Sequence, residues 1–352
     1  MKDTRYLPAL AALVLLLAAS PGARGQQAPA AGQLSPKPQL VILDTDIGDD
    51  IDDAFALALV LQSPELKLLG ITTTYGDTAL REKLIHRFLW DAHLASIPTV
   101  PGISTPQSNV FTQAGYARRN IWLPSRCLPV LSQKQEREMA SERSKNLGRE
   151  PAASYILDLI REHPGQITLI AIGPLFNIPA AIERDPATFR KLKRVVLMGG
   201  SIYRGYDDGK TGAHRPADAE WNIARDPAGA RVLLAAGVPV FMMPLDSTQI
   251  HLEAKEREKI FAHGSPLTDQ LTLLYHQWMA LSEWYPAGPT LFDPVAVAYA
   301  VRPNLCPATP MRLQVDDKGF TRPVEGAPNA QVCLHSDEKG FINLLLERID
   351  KD

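Results

Sequence analysis

Six aspartates, at positions 44, 46, 49, 50, 52 and 53, fall within the segment LDTDIGDDIDDAFAL, Leu43 to Leu57. Carboxylates so close raise one another's pKa, and some stay protonated unless a cation or a helix N-terminus compensates. A helix starting near Asp52 supplies only about half a positive charge. A hard divalent cation bound through oxygen atoms answers the group more simply. Any one aspartate has a plainer reading: Asp49 and Asp50 as solvated turn residues, Asp52 as a helix cap. Taken together they need several compensators at once. The segment is not an EF-hand, because Gly48 stands at the wrong place and Phe55 occupies the twelfth position, where a bidentate Glu belongs.

The flanking sequence says what must hold these side chains. LVIL before the cluster reads as a buried parallel strand, and AFALALVL after it as a helix apolar all round. The aspartates then occupy a strand-to-helix turn at the carboxyl edge of a sheet, where open α/β sheets bind ligands. Short β-branched runs alternate with helical patterns along the rest of the chain. Strands are expected at Leu40–Leu43, Leu68–Thr73, Ile167–Ile172, Arg194–Met198 and Pro239–Met243. Helices are expected at Asp52–Gln62, Ala79–His93, Ala152–His163, Leu175–Arg184, Pro227–Ala236, Leu267–Trp284 and Gly340–Ile349. The pattern predicts one α/β domain with a mainly parallel, Rossmann-like open sheet flanked by helices, its active site at the C-terminal edge of the strands. From about Ser104 to Arg149 a Pro-, Gln- and Arg-rich stretch of weak periodicity suggests loops and short helices over one face.

The N-terminus carries Lys2 and Arg5, then an apolar run from Leu7 to Ala19 and the small-x-small triplet Ala23-Arg24-Gly25. These mark residues 1–25 as a secretory signal peptide, with residues 26–39 as a flexible Pro/Ala/Gln spacer and residues 40–352 as the folded domain. A retained N-terminal anchor is the alternative. The reading predicts a periplasmic or secreted protein with no membrane association after signal cleavage. A formal charge of −2 with acids and bases interspersed gives no basic footprint for nucleic acid. Cys127, Cys306 and Cys333 form no metal motif and allow at most one disulfide; Cys306 with Cys333 is one pairing, and three unpaired thiols are the other outcome.

The segment ILDTDIGDDIDDAFAL resembles the metal-binding signature D-x-D-P-G-x-D-D-A of the nucleoside hydrolases, the inosine-uridine preferring N-ribohydrolase family. Further similar segments follow in order: ITTTYGD at 71–77, TLIAIGPLFNI at 168–178, VVLMGG at 195–200, AEWNIARDP at 219–227 and FDPVAVA at 292–298. The resemblance implies hydrolysis of the N-glycosidic bond of ribonucleosides to ribose and free base, by a calcium-bound water that an Asp activates. It makes Asp46 a Ca2+ ligand and the base, Asp53 and Asp293 further ligands, and the carbonyl of Ile172 the remaining protein ligand. Asp52 would accept the ribose 2′-hydroxyl, while Glu220 and Asn222 would hold the 5′- and 3′-hydroxyls, with Asp77, Met198, Trp221 and Trp278 also counted as substrate-binding. Asp44 becomes a supporting residue at the strand end. A homo-oligomer, dimer or tetramer, is implied as well. The chemistry is coherent in itself: an oxocarbenium-like sugar wants an activated water, anionic surroundings and firm hydroxyl contacts.

Three departures stand out. Three residues separate Gly48 from the Asp52-Asp53 pair where the common form has one. Asp77 stands where many members have Asn, and Tyr206 falls near the place where another ribose-contacting Asn would be. Phe292 replaces the His that usually precedes the last calcium ligand, so the leaving base must be helped otherwise. The segment YHQWMALSEWY at 275–285 offers His276 as a candidate acid and Trp278 or Trp284 as stacking partners, with core packing as the plainer reading of its rings. His86, His163 and His335 read as surface residues without acidic company, and Asp185, Asp226 and Asp246 as structural. Two other classes compete: a haloacid dehalogenase-type phosphohydrolase, on the strength of Asp44-x-Asp46, and an exported calcium-dependent nucleoside- or sugar-binding protein without turnover.

Overall fold

The computed structural model describes residues 37–118, 150–207, 215–282 and 288–350. The expected signal peptide, most of the spacer, Cys127, Trp284 and Tyr285 lie outside these residues, as does most of the Ser104–Arg149 stretch.

Among the described residues are ten strands: β1 Gln39–Thr45, β2 Leu66–Thr73, β3 Thr99–Pro101, β4 Thr168–Ala171, β5 Arg194–Met198, β6 Val240–Met243, β7 Ala308–Met311, β8 Leu313–Val315, β9 Thr321–Pro323 and β10 Ala330–Cys333. Eight form one sheet in the order β3-β2-β1-β4-β5-β6-β10-β7, and β8 pairs with β9 separately. Neighbours in the large sheet run parallel except β7, which is antiparallel to β10. The five expected strands are all there. Those not expected are three or four residues long and lack the unbroken apolar run that marks the equally short β4 and β6, and β7 contains a proline that suits an edge.

The chain travels outward from β1 to β3, then returns to place β4 on the other flank of β1, so the strand order reverses between β1 and β4. At such a switch point the strand ends splay and leave a crevice for ligands. Asp44 is opposite Ala171 on one side and Thr72 on the other. The N–H of Ile172 continues the ladder one step, donating to the Asp44 carbonyl at 2.8 Å.

One core packs the Asp52–Leu61 helix, through Phe55, Leu57 and Leu59, against the sheet and the Asp293–Val301 helix. The other packs Ile156, Leu157 and Ile178 on the opposite face. Every residue from Asp52 to Val60 is buried. Each buried Leu or Phe there contributes about 1.5–3 kcal/mol, which fixes the helix so firmly that Asp52 and Asp53 at its start cannot swing out to water. Cys306 and Cys333 form a buried disulfide, linking the segment after the Asp293–Val301 helix to β10. Among the described residues, no helix is long and apolar enough to cross a membrane.

Candidate active site

Between β1 and the Asp52–Leu61 helix the chain turns at Gly48, whose φ of +124° is a conformation that side chains avoid. A Cβ there would also lie 1.9 Å from the Phe111 ring. The turn is built around Arg81, which the Thr78–Asp91 helix carries and which is fully buried. Its guanidinium donates to the carbonyls of Asp46 and Ile47 and to the Asp49 carboxylate, the last at 2.7 Å. Asn109 and Gln107 donate to the same carboxylate at 2.8 and 3.0 Å. Asp49 is therefore a clamped group, not a solvated one. Asp50 is half-buried; its carboxylate takes a hydrogen bond from Trp278 and its carbonyl one from Gln113 at 2.6 Å.

Asp52 and Asp53 open their helix, and Asp293 opens the helix packed beside it. The three carboxylates, all buried, offer oxygens within 4.8 Å of one another. Asp52 is not a helix cap: its Oδ2 accepts the Asp293 N–H at 3.3 Å. Thr45 at the end of β1 donates its hydroxyl to Asp53. Asp46 stands outside the trio but its charge reaches all three members. A Cβ on Gly173 would sit 2.8 Å from both Oδ1 and the backbone N of Asp46, so glycine lets the Ile172–Gly173 backbone lie against that carboxylate. Behind these, Asp44 accepts from Thr72 at 2.6 Å and Asn177 at 2.7 Å, tying β1 to β2 and the neighbouring helix.

Burial pushes Asp46 up to about 7, with Arg81 pulling back and Asp49 adding to the rise. Burial likewise lifts Asp44 and Asp50 to about 6, and it lifts Asp52, Asp53 and Asp293 well above the usual carboxylate range, their mutual repulsion adding to it. Arg81 faces this group as a buried cation, and its donors are spent on the loop. A divalent cation is the natural relief for the oxygens of Asp52, Asp53 and Asp293.

A second group lies near Asp46, which feels the charge of Glu220. Glu220, buried, accepts N–H bonds from Asn222 at 2.8 Å, Gly200 at 2.8 Å and Ile223 at 3.1 Å, which fix both its oxygens at the start of the short Trp221–Arg225 helix. Burial still raises it to about 7. The Asn222 amide donates to the Met198 carbonyl at 3.1 Å, leaving its oxygen to accept. Trp221 is half-buried, edge-on to Tyr75 at 5.9 Å, with Arg225 over its face at 3.8 Å. Its backbone N–H donates to the Tyr206 hydroxyl at 2.9 Å. Burial and the nearby Glu220 charge push that phenol well up.

Three expected site residues stand elsewhere. Asp77 is exposed and caps the Thr78–Asp91 helix, accepting from Leu80 N at 3.0 Å, so helix capping accounts for it. Trp278 is a core residue, 2% exposed, with no open face for a base to stack on. His276 is exposed, about 200° around the Pro266–Leu281 helix from Trp278, whose side reaches the aspartates through Asp50. His86, expected to lack acidic company, lies 3.6 Å from Glu82 and 2.7 Å from Thr99. Asp185 and Asp226 cap helices, and Asp246 accepts the N–H groups of Ile202 and Tyr203. Arg81 was not anticipated; the signal available is a lone Arg among the inward positions Leu80, Leu84, Ile85 and Phe88 of one helix. Tyr75 is a second such residue, buried at a positive φ of 61° beside Trp221 and Phe176, and the signal available is its place in the segment ITTTYGD.

Comparison with known proteins gives this geometry a context. The family model described as inosine-uridine preferring nucleoside hydrolase matches residues 41–343. Uridine nucleosidase 1 of Arabidopsis thaliana is 31% identical over 282 residues, 78% of this chain and 77% of that protein. The pyrimidine-specific ribonucleoside hydrolase RihA of Citrobacter koseri is 30% identical over 329 residues, 88% of this chain and 97% of that one. A solved plant nucleoside hydrolase, the PpNRh1 enzyme, superposes with a TM-score of 0.71 at 26% identity, over 90% of this chain and 100% of that one. With matching sequence, sheet and acidic strand-end site, the chain belongs to the inosine-uridine preferring nucleoside hydrolase family, enzymes that hydrolyse N-glycosyl bonds.

Proposed function

We propose that the chain hydrolyses ribonucleosides to ribose and free base at the Asp46–Asp53–Asp293 site, with calcium as its resident ion. The observation that carries this reading is the convergence of Asp52, Asp53 and Asp293 into one buried trio, with Asp46 beside it. Asp46, Asp53, Asp293 and the Ile172 carbonyl would hold the ion. Bound there, calcium would neutralise the carboxylates and polarise the attacking water.

The side chains supply the rest. Asp46 takes the proton of the water as its oxygen bonds to C1′. Asp52 accepts the 2′-hydroxyl, while Glu220 and the free oxygen of Asn222 accept those at 5′ and 3′. Buried carboxylates on this face favour a sugar that turns cationic as the C1′–N bond breaks. Export fits the buried Cys306–Cys333 disulfide, since such bonds persist in oxidising compartments; cell fractionation tests it directly.

A turnover screen of inosine, uridine, adenosine, guanosine and p-nitrophenyl riboside, with and without a chelator, tests the activity. Release of ribose that stops on chelation and returns with calcium is the expected result. Intact ribosides under all conditions would remove the reading, as would full activity in chelator for its metal.

A further inference from the structure

Breaking an N-glycosidic bond leaves the electron pair on the base nitrogen, and a natural base departs slowly unless a donor meets the growing negative charge. Position 292 is a phenylalanine and offers none. Most N–H and O–H groups around the site are already engaged. The Trp278 indole serves Asp50, Arg81 serves the loop carbonyls and Asp49, the Asn222 amide serves Met198, and the Tyr75 hydroxyl meets Ser108.

Tyr206 differs. Its oxygen accepts the Trp221 N–H, and among the described residues no acceptor takes its own proton. Its ring stands edge-on to Phe292 with centroids 6.0 Å apart. Its oxygen is close enough to Glu220 and Asp52 to feel their charges. The backbone on both sides of it is gripped by one buried side chain: Gln249 donates to the Gly205 carbonyl at 3.1 Å and accepts the Asp207 N–H at 2.7 Å. The hydroxyl is thus held beside Glu220 and Asp52, the carboxylates that the proposed function sets on the sugar, while the ring behind it packs on Phe292.

Building on the proposed hydrolysis, we infer that the Tyr206 hydroxyl is the hydrogen-bond donor to the departing base. As C1′–N breaks, the pair stays on the base nitrogen, the phenol shares its proton with the base without losing it, and solvent completes protonation after release. The water oxygen bonds to C1′ and its proton goes to Asp46, so the step balances without a further reactant.

The test is the ratio of kcat/KM for inosine and for uridine to that for p-nitrophenyl riboside, in wild type and Tyr206→Phe. p-Nitrophenolate is stable as an anion and needs no donor. Losing one preorganised donor costs about 10²-fold, so both ratios should fall by about that factor, whatever the absolute rate on the activated riboside. The ratio is insensitive to the fraction of enzyme that is folded. An unchanged ratio, whether both substrates slow together or neither does, overturns the inference. If Tyr206→Phe yields no folded protein, Tyr206→His keeps a protic donor and should hold the ratio near the wild-type value; a collapsed ratio there also overturns it. A wild type that cleaves no riboside at all would instead remove the underlying reading of the site.

Discussion

The backbone N–H of Asp293 donates to Oδ2 of Asp52 at 3.3 Å, joining residues 241 positions apart in the chain. Each begins a helix, and the two helices lie side by side behind the site. Three carboxylates fixed so close are stable as anions only with a cation among them. Calcium should therefore raise the melting temperature, by a stabilisation of about 2.7 kcal/mol at a hundred times its Kd. Asp293→Ala should lose that response. Melts that coincide with and without calcium in the wild type would count against a metal at this place.

Asp46 and Asn222 should fail in different ways. Asp46→Asn keeps an oxygen but removes the proton acceptor, so kcat should drop by about 10²–10⁴-fold with ribose affinity largely retained. Asn222→Ala should weaken ground state and transition state together, raising KM. Steady-state kinetics on one riboside separates the two; matching small effects on kcat would mean that the site is misassigned.

The metal-free protein should lose stability as pH rises. Burial lifts Asp44 from 3.8 to about 6, Asp46 from 3.8 to about 7 and Glu220 from 4.5 to about 7. Between the ordinary and the raised values the folded state holds more protons than the unfolded one. Their contribution is therefore complete below the ordinary values and lost as pH climbs through about 7. Chelated protein should melt lower near pH 8 than near pH 5.5, with calcium shrinking the difference. Thermal melts across that range check the sign.

Arg81→Met should damage the site from behind. It leaves the Asp46 and Ile47 carbonyls without this donor and the Asp49 carboxylate without its cation, and breaking a buried ion pair costs about 3–5 kcal/mol. Arg81→Lys should recover only part of this, because an ammonium cannot span the fork of acceptors. Chemical denaturation measures both; near-wild-type stability in the Met variant would show that the loop holds itself.

His276→Ala should leave kcat/KM on uridine and inosine nearly unchanged and stability within about 0.5 kcal/mol, as for a surface substitution. A large selective loss on uridine would return His276 to the leaving-group side.

The local features were legible in the sequence because they arise from neighbouring residues. An apolar run, a turn rich in aspartate and an apolar helix announce a strand-end acidic site, and their spacing placed Asp44, Asp46, Asp52 and Asp53 within one turn. Alternating periods likewise revealed the five central strands and their parallel arrangement. The short edge strands escaped because TVP and ATPM lack the apolar run that marks the equally short β4 and β6. Which distant residues meet was decided only by the fold. Whether Asp77 faces a ligand or caps a helix, whether Trp278 offers its face or fills the core, and which cysteines pair depend on directions that a linear pattern does not encode. Arg81 shows the reason most clearly. A buried guanidinium is tolerable only where acceptors surround it, and three of its acceptors, on Asp46, Ile47 and Asp49, come from a turn more than thirty residues earlier, brought to it when β1 and β2 pair.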